Sequence, residues 1–183
     1  LKNKFVIGYI GTHGLAHALE NVIEAADLIT KEDNIRIILV GDGAERLKLE
    51  KIVLERGLEN IVMIPNQPKD KMPQVWSLCD ISLVHLKNSP LFKTVIPSKI
   101  FESMAMGLPI LMAMPMGEAT DIIDKYKAGI RVLPEHPRKL SEEFLKLAKD
   151  KELVRILSYQ SLNAARNFDR KKLALEMLNH MEE

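Results

Sequence analysis

The chain is 183 residues long, 46% hydrophobic and 28% charged, with a formal net charge of +1 at pH 7. That length suits one domain with a sizeable core, and the near-neutral balance excludes the basic field that nucleic acid or an anionic membrane surface requires. A single cysteine, Cys79, excludes an intramolecular disulfide and fits a reducing compartment. No apolar run reaches the roughly 18 residues of a membrane-crossing helix, and the N-terminal LKNKFVIGYIG enters a strand-like run without the layout of a signal peptide.

From there apolar runs alternate with amphipathic ones. Residues 5–11 (FVIGYIG) predict a buried strand, and 18–30 a helix with Leu19, Val22, Ile23, Ala26 and Ile29 on one face. Residues 34–40 (NIRIILV) predict the second strand, ending at the turn Gly41-Asp42-Gly43. A helix over 44–56 is stopped by Gly57. A third strand, 60–64, is closed by Pro65. A short helix over 69–78 and a fourth strand over 80–86 follow. After a loop, Pro97 or Ser98 begins a helix over 97–106. Strands at 109–114 and 129–133 flank a helix at 118–126, and 138–181 is helical with breaks near Asp150 and Phe168-Asp169.

Several of these strands are apolar throughout rather than alternating, as a parallel sheet covered on both faces requires. The fold expected is α/β: a Rossmann-like, doubly wound, parallel six-stranded sheet with extra C-terminal helices. Ligands of such sheets sit beyond the carboxyl ends of the strands, so the segments just after each strand are the candidates.

Gly11-Thr12-His13-Gly14 follows the first strand. Its glycines let backbone approach a ligand, and the N–H groups at Gly14, at a helix start, favour an anion. The same pattern also reads as a plain tight turn. No G-x-G-x-x-G or G-x-x-x-x-G-K-[ST] motif occurs. In PSKIFESMAMGLP, Ile100, Phe101, Met104 and Ala105 form one helical face, with Lys99, Glu102, Ser103 and Met106 opposite. A lysine there neutralises a phosphate, and a carboxylate one turn later accepts two hydrogen bonds from a ribose diol. By spacing alone the pair reads as an exposed i, i+3 ion pair worth about 0.2–0.5 kcal/mol. His13 and His17 fall in the glycine loop at the ligand edge, His85 ends the fourth strand and faces that edge or packs there, and His136 and His180 read as surface residues. Trp76 and Cys79 read as core, as do Met104, Met106, Met112, Met114 and Met116. No metal-ligand spacing occurs, and no cofactor is expected.

PSKIFESMAMGLPI resembles the signature region of GT-B glycosyltransferases of family 4, whose pattern ends in Glu-x-Met-Ala-x-Gly-x-Pro. GYIGTHGLAHALENVIEAADLI, ILVGDGAERLKL, IVMIPNQPKDKMPQVWSLCDISLV and NFDRKKLALEML resemble further parts of the same family in the same order. The resemblance implies one half of a GT-B fold: a single C-terminal domain over 1–183 that binds the donor, a UDP- or GDP-linked sugar. An N-terminal domain outside this chain would hold a lipid-linked or saccharide acceptor. It further implies retaining transfer in polysaccharide or glycolipid assembly, with no nucleic acid partner. The expected location is cytoplasmic, any membrane contact coming through the other half, with little turnover by this half alone.

The family's ribose-binding glutamate matches Glu102. Its sugar-binding partner, eight residues earlier, is Thr94 here, which leaves the catalytic residues open. Enzymes of the family with Pro-Ser-Lys at this place include some that handle N-acetylated amino sugars, a lean toward a UDP-N-acetyl sugar. The family's arginine and lysine near the first loop match Thr12 and His17. Phosphate charge would therefore fall to Lys99, with Lys87 and Lys93 as further candidates. The base is expected at Pro65-Asn66-Gln67-Pro68, with Gly41 and Gly43 leaving it room. The expected donor-binding set is thus Gly11, Thr12, His13, Gly14, His17, Gly41, Gly43, Asn66, Gln67, His85, Pro97, Ser98, Lys99 and Glu102. Two other readings remain: an epimerase acting on a UDP-N-acetylhexosamine, and a non-catalytic nucleotide-binding or interaction module.

Overall fold

Runs of Ile, Val and Leu that cannot be left in water become the strands, and the amphipathic stretches between them return across the sheet. A computed structural model describes residues 1–182. Its order is β1 Phe5–Ile10, α1 Glu20–Asp27, β2 Ile35–Val40, α2 Arg46–Glu55, β3 Ile61–Ile64, α3 Met72–Trp76 and β4 Ile81–His85. There follow α4 Lys99–Ala105, β5 Ile110–Ala113, α5 Glu118–Tyr126, β6 Gly129–Val132, α6 Pro137–Lys149, α7 Lys151–Ala165 and α8 Arg170–Glu182.

The six strands form one sheet in the order β3-β2-β1-β4-β5-β6, and every recorded pairing is parallel. The expected doubly wound, Rossmann-like sheet is therefore present. The chain winds outward through β1, β2 and β3, then crosses to β4, so the winding reverses between β1 and β4. These two strands pair at Ile7↔Ile81 and Gly8↔Ser82. They are tied at their starts, where the Val6 N–H donates to Asp80 Oδ2 at 2.7 Å and the Asp80 N–H to the Val6 carbonyl at 2.8 Å. Beyond Gly8 no pairing joins them, so a crevice opens at the carboxyl rim.

Alternate strand residues feed two faces. Ile7, Tyr9, Ile35, Ile37 and Leu39 pack with Val22 and Ile23 of α1 and Phe144 of α6. Val6, Ile10, Ile38 and Val40 pack with Val75 and Trp76 of α3 and with Cys79. In the other half of the sheet, Val84, Ile110 and Met112 pack with Ile100 and Met104 of α4 and Ile123 of α5. Each such fully buried aliphatic side chain stabilises the fold by about 1.5–3 kcal/mol.

Element positions follow the sequence expectation with local differences. The helix expected from residue 18 starts at Glu20, because Leu15–His17 forms a 3-10 turn and Ala18 adopts left-handed backbone (φ 44°). Gly14 therefore does not stand at an α-helix start. Ser103, expected on the open face of α4, is fully buried: its hydroxyl donates to the Lys99 carbonyl at 2.7 Å and accepts from the Ser82 hydroxyl on β4, also at 2.7 Å. Met104, Met112 and Met114 fill the core as expected, whereas Met106 and Met116 are exposed. Gly57 (φ 62°) ends α2 as expected. Across α4 lies α7, whose Ser158 and Ser161 hydroxyls donate to the Gly107 and Leu108 carbonyls at 2.6 and 2.7 Å. That clamp fixes the orientation of the helix that carries Lys99 and Glu102.

Candidate functional site

At the rim, three glycines let loops touch backbone to backbone. Gly41 (φ +145°) lies so close to Gly11 that a Cβ there would be 1.9 Å from the Gly11 carbonyl oxygen, and a Cβ on Gly43 would meet the His13 carbonyl at 2.5 Å. The space these glycines leave is thus filled by the turn after β1, not left for a base. Hydrogen bonds from the Gly11 N–H to the Val40 carbonyl, from His13 to Asp42 and from Glu45 to His13 close the contact. Arg46, at the start of α2, adds its guanidinium to the carbonyls of Gly41 and Ile64 and pairs with Glu50 at 2.6 Å.

Beside this turn is a cleft of about 350 Å³ lined by Ile10, Gly11, Thr12, His17, Val40, Asn66, Met72, Pro97, Ser98, Lys99 and Glu102. Of the fourteen expected donor-binding residues, eight therefore stand in one wall: Gly11, Thr12, His17, Asn66, Pro97, Ser98, Lys99 and Glu102. The α4 helix and the Gly11 turn share a rim, with Lys99 Nζ 2.7 Å from the place a Gly11 Cβ would occupy. His13, Gly14, Gly41, Gly43, Gln67 and His85 stand outside the wall. Gln67 turns its amide to the Pro65 carbonyl at 2.9 Å. Gly14 instead borders a smaller cavity with Lys87.

His85 packs rather than faces the cleft. It is 1% exposed, and its Nδ1 lies 2.7 Å from the His17 carbonyl. A carbonyl only accepts, so Nδ1 carries the proton. Burial holds the imidazole neutral, pushing its pKa down to about 4. With the Lys87 N–H donating to the Ala16 carbonyl at 2.9 Å, the end of β4 thus fastens the 3-10 turn that presents His17.

The floor of the cleft is electrostatically unfinished. Lys99 Nζ is buried with no hydrogen-bond partner, as are both ring nitrogens of His13 and Nδ1 of His17. The Lys99 Nζ lies 3.8 Å above the centroid of the Tyr9 ring. Tyr9 is fully buried and donates its hydroxyl to the Thr12 carbonyl at 2.7 Å. The His13 and His17 rings flank it at 6.0 and 5.9 Å. Burial drives the Lys99 pKa from 10.5 down to about 7, and Glu102 only partly opposes this. The Tyr9 face also opposes the drop, since an aromatic ring holds a desolvated cation by about 2 kcal/mol or more. His13 is pushed down to about 4 by burial and then by Arg46, and His17 is lowered by burial and then by Lys99. A lysine nitrogen without a counter-ion, on the floor of a cleft walled by glycine backbone, is suited to an anion. Glu102 is exposed on the same helix one turn on.

Sequence reasoning missed Tyr9 and Arg46. The signal for Tyr9 is the one polar-tipped side chain in an otherwise apolar strand; Arg46 carries no such mark. Thr94 is exposed in the 3-10 turn Pro90–Thr94 and does not line the cleft. A larger cavity of about 540 Å³ lies beyond β5 and β6, between Asn88, Lys93, Met116, Arg131 and His136. Among the described residues, none of the buried unpartnered polar atoms lies in its wall. Trp76 and Cys79 are core and His136 is exposed, as expected; the His180 side chain lies outside the described residues.

Three comparisons bear on this arrangement. The model of the family "Glycosyl transferases group 1" matches residues 1–164. The chain is 32% identical over 171 residues to the "Putative colanic acid biosynthesis glycosyl transferase WcaI" of Escherichia coli K12, covering 83% of this chain and 41% of that protein. It thus spans about two fifths of the length of that relative. Among solved structures it is similar to Anabaena HepE in complex with UDP and glucose, with a TM-score of 0.84 at 19% identity, over 99% of this chain and 49% of that one. The C-terminal domain of the group 1 protein LpcC from Francisella tularensis matches with a TM-score of 0.74 at 19% identity, over 89% of this chain and 85% of that one. WaaG, a glycosyltransferase involved in lipopolysaccharide biosynthesis, shares the fold as well, with a TM-score of 0.75 at 16% identity over 91% of this chain and 44% of that one. The chain belongs to the glycosyl transferases group 1 family.

Proposed function

We propose that this chain is the donor-binding half of a retaining glycosyltransferase and that the Lys99 cleft holds a nucleoside-diphosphate sugar, a UDP-sugar being favoured. The observation that carries the reading is the buried, unpartnered Lys99 Nζ beside the Gly11 backbone, with Glu102 one turn further along α4. In this arrangement Lys99 meets the diphosphate, Glu102 accepts the ribose hydroxyls, and Asn66 stands where the base reaches the end of β3. HepE, a neighbour in fold, has been solved with UDP and with UDP-glucose, which supports uridine as the base.

In the reaction, the bond from the sugar C1 to the diphosphate oxygen breaks, a bond from C1 to an acceptor hydroxyl oxygen forms, and the proton of that hydroxyl leaves with the diphosphate or to solvent. The cation stabilises the charge left on the diphosphate, the largest single kind of contribution in such sites. The acceptor, a saccharide or lipid-linked hydroxyl in polysaccharide or glycolipid assembly, is held by a second domain that closes the cleft and aligns the two substrates.

Calorimetry with UDP, UDP-glucose, UDP-N-acetylglucosamine and GDP-mannose tests this. Binding of a uridine nucleotide that persists in EDTA and weakens at least about tenfold, or ~1.4 kcal/mol, in both Lys99→Ala and Glu102→Ala is the expected result. Absence of binding by every nucleotide would overturn it in favour of an interaction module.

A further inference from the structure

A lysine with an ordinary pKa enters a phosphate complex already charged, and the complex then forms without exchanging protons with solvent. Lys99 is not placed for that. Its Nζ is buried, has no hydrogen-bond acceptor, and rests 3.8 Å over the Tyr9 ring. Every element around it has been stripped of counter-charge. Tyr9 on β1 is a neutral phenol whose pKa burial raises further, and its hydroxyl is engaged by the Thr12 carbonyl. His13 and His17, in the turn after β1, and His85, at the end of β4, are all held toward the neutral form by burial. On α4 itself, Glu102 is the one carboxylate acting on the amine; it is exposed and forms no ion pair with it among the described residues. The anion that would complete the site has to come from the ligand.

Resting on the donor-site reading above, we propose that this cleft takes up a proton together with the diphosphate: above neutral pH Lys99 waits over the Tyr9 ring as a free amine and becomes an ammonium against the phosphate oxygens. The balance is simple. Free protein, nucleotide sugar and one solvent proton give the complex with Lys99 charged; release of the nucleotide returns the proton. Lowering of the Lys99 pKa to about 7 by burial supports this, and a phosphate at hydrogen-bond distance restores it toward the ordinary lysine range. Donor affinity is therefore pH-dependent in a definite direction: it falls as pH rises through the free-state pKa, because the proton must be drawn from a scarcer pool.

UDP-glucose is the probe, because both its phosphates are esterified and neither titrates between pH 6.5 and 8.5, as the terminal phosphate of UDP does. Titration calorimetry of this chain in two buffers of different ionisation enthalpy counts the protons directly. Uptake approaching one proton per UDP-glucose at pH 8, falling to a small fraction at pH 6, is expected, with affinity weakening on the order of tenfold or more from pH 6.5 to 8.5. Lys99→Arg, which keeps the charge at every accessible pH, should bind without uptake, and Lys99→Met should bind weakly and without the pH slope. UDP-glucose binding with no proton uptake at pH 8 overturns the coupling and leaves the donor site standing. No UDP-glucose binding at either pH overturns both. Uptake that persists in Lys99→Met assigns the proton to another group and overturns the role given to Lys99.

Discussion

The two halves of the carboxyl rim are built differently. Over β3, β2 and β1 the loops close on one another through backbone: the Gly11 turn against Gly41 and Gly43, and the Arg46 guanidinium across Gly41 and Ile64. Polar atoms are buried there without partners. Over β4, β5 and β6 the rim shows apolar side chains to solvent, with Leu91 72% exposed, Met116 64% and Leu133 61%. The first half gives up stabilising contacts to hold bare backbone and unpartnered imidazoles ready beside Lys99, which α4 brings in from the other side of the β1–β4 crevice; such unsatisfied groups persist where the surroundings over-determine them. The second half leaves its loops free to vary without disturbing the sheet.

The sharpest test of that contrast is a single methyl group. In Gly41→Ala the new Cβ would meet the Gly11 carbonyl oxygen at 1.9 Å, with φ at +145°. Backbone faces backbone, so no side chain can swing away. A loss of about 4 kcal/mol or more is expected, read as a fall in Tm of roughly 10 °C for a domain of this size, together with loss of nucleotide binding. A Gly41→Ala protein with unchanged Tm would mean that the close contact of the two loops does not hold the rim.

Next in size is an acid effect confined to the first half and its border with β4. His13 and His85 titrate near 4 in the folded chain, against about 6.5 when unfolded. Between those values the unfolded chain binds more protons than the folded one. Stability therefore rises with pH across the window and is lost as pH falls from about 6.5 toward about 4. The loss is on the order of 3 kcal/mol for a fully buried imidazole such as His85. Thermal melts from pH 7 to 4.5 should show it, with a shallower slope in His85→Gln. A slope unchanged by that substitution would remove the buried histidine from the account.

The same contrast explains what could be read from sequence. Strand and helix placement was legible because burial on both faces writes continuous apolar runs, and α5 falls at Glu118–Tyr126 as the pattern predicts. So was the meeting of Lys99 with the Gly11 turn, since both follow adjacent parallel strands. Three features were not legible. Periodicity put Ser103 on the open face of α4, but a partner hydroxyl on another strand, Ser82, draws it inward. The Gly41 and Gly43 turn read as room for a ligand because sequence does not show which loop fills a space. His85 was legible as an edge residue and not as a strut, because its partner is a carbonyl 68 residues away in sequence, and every residue type has a carbonyl.

The smallest effect belongs to Thr94, and it weighs on the other half of the comparison. In the family pattern a glutamate occupies this place, so Thr94→Ala asks whether the 3-10 turn Pro90–Thr94, upstream of the Pro97 and Ser98 that line the cleft, does any of the donor binding in this chain. Thr94 is exposed at the end of a 3-10 turn and outside the wall of the Lys99 cleft. Truncating an exposed side chain changes stability by no more than about 0.5 kcal/mol, and with no contact in the cleft, UDP-glucose affinity should stay within about twofold, ~0.4 kcal/mol. Tm and calorimetry on one preparation measure both. A tenfold loss of affinity at constant Tm would put the 3-10 turn in contact with the donor. The donor site would then extend past Pro97 and Ser98, which already line the cleft, over the second half of the rim, and the sugar would be read by residues there.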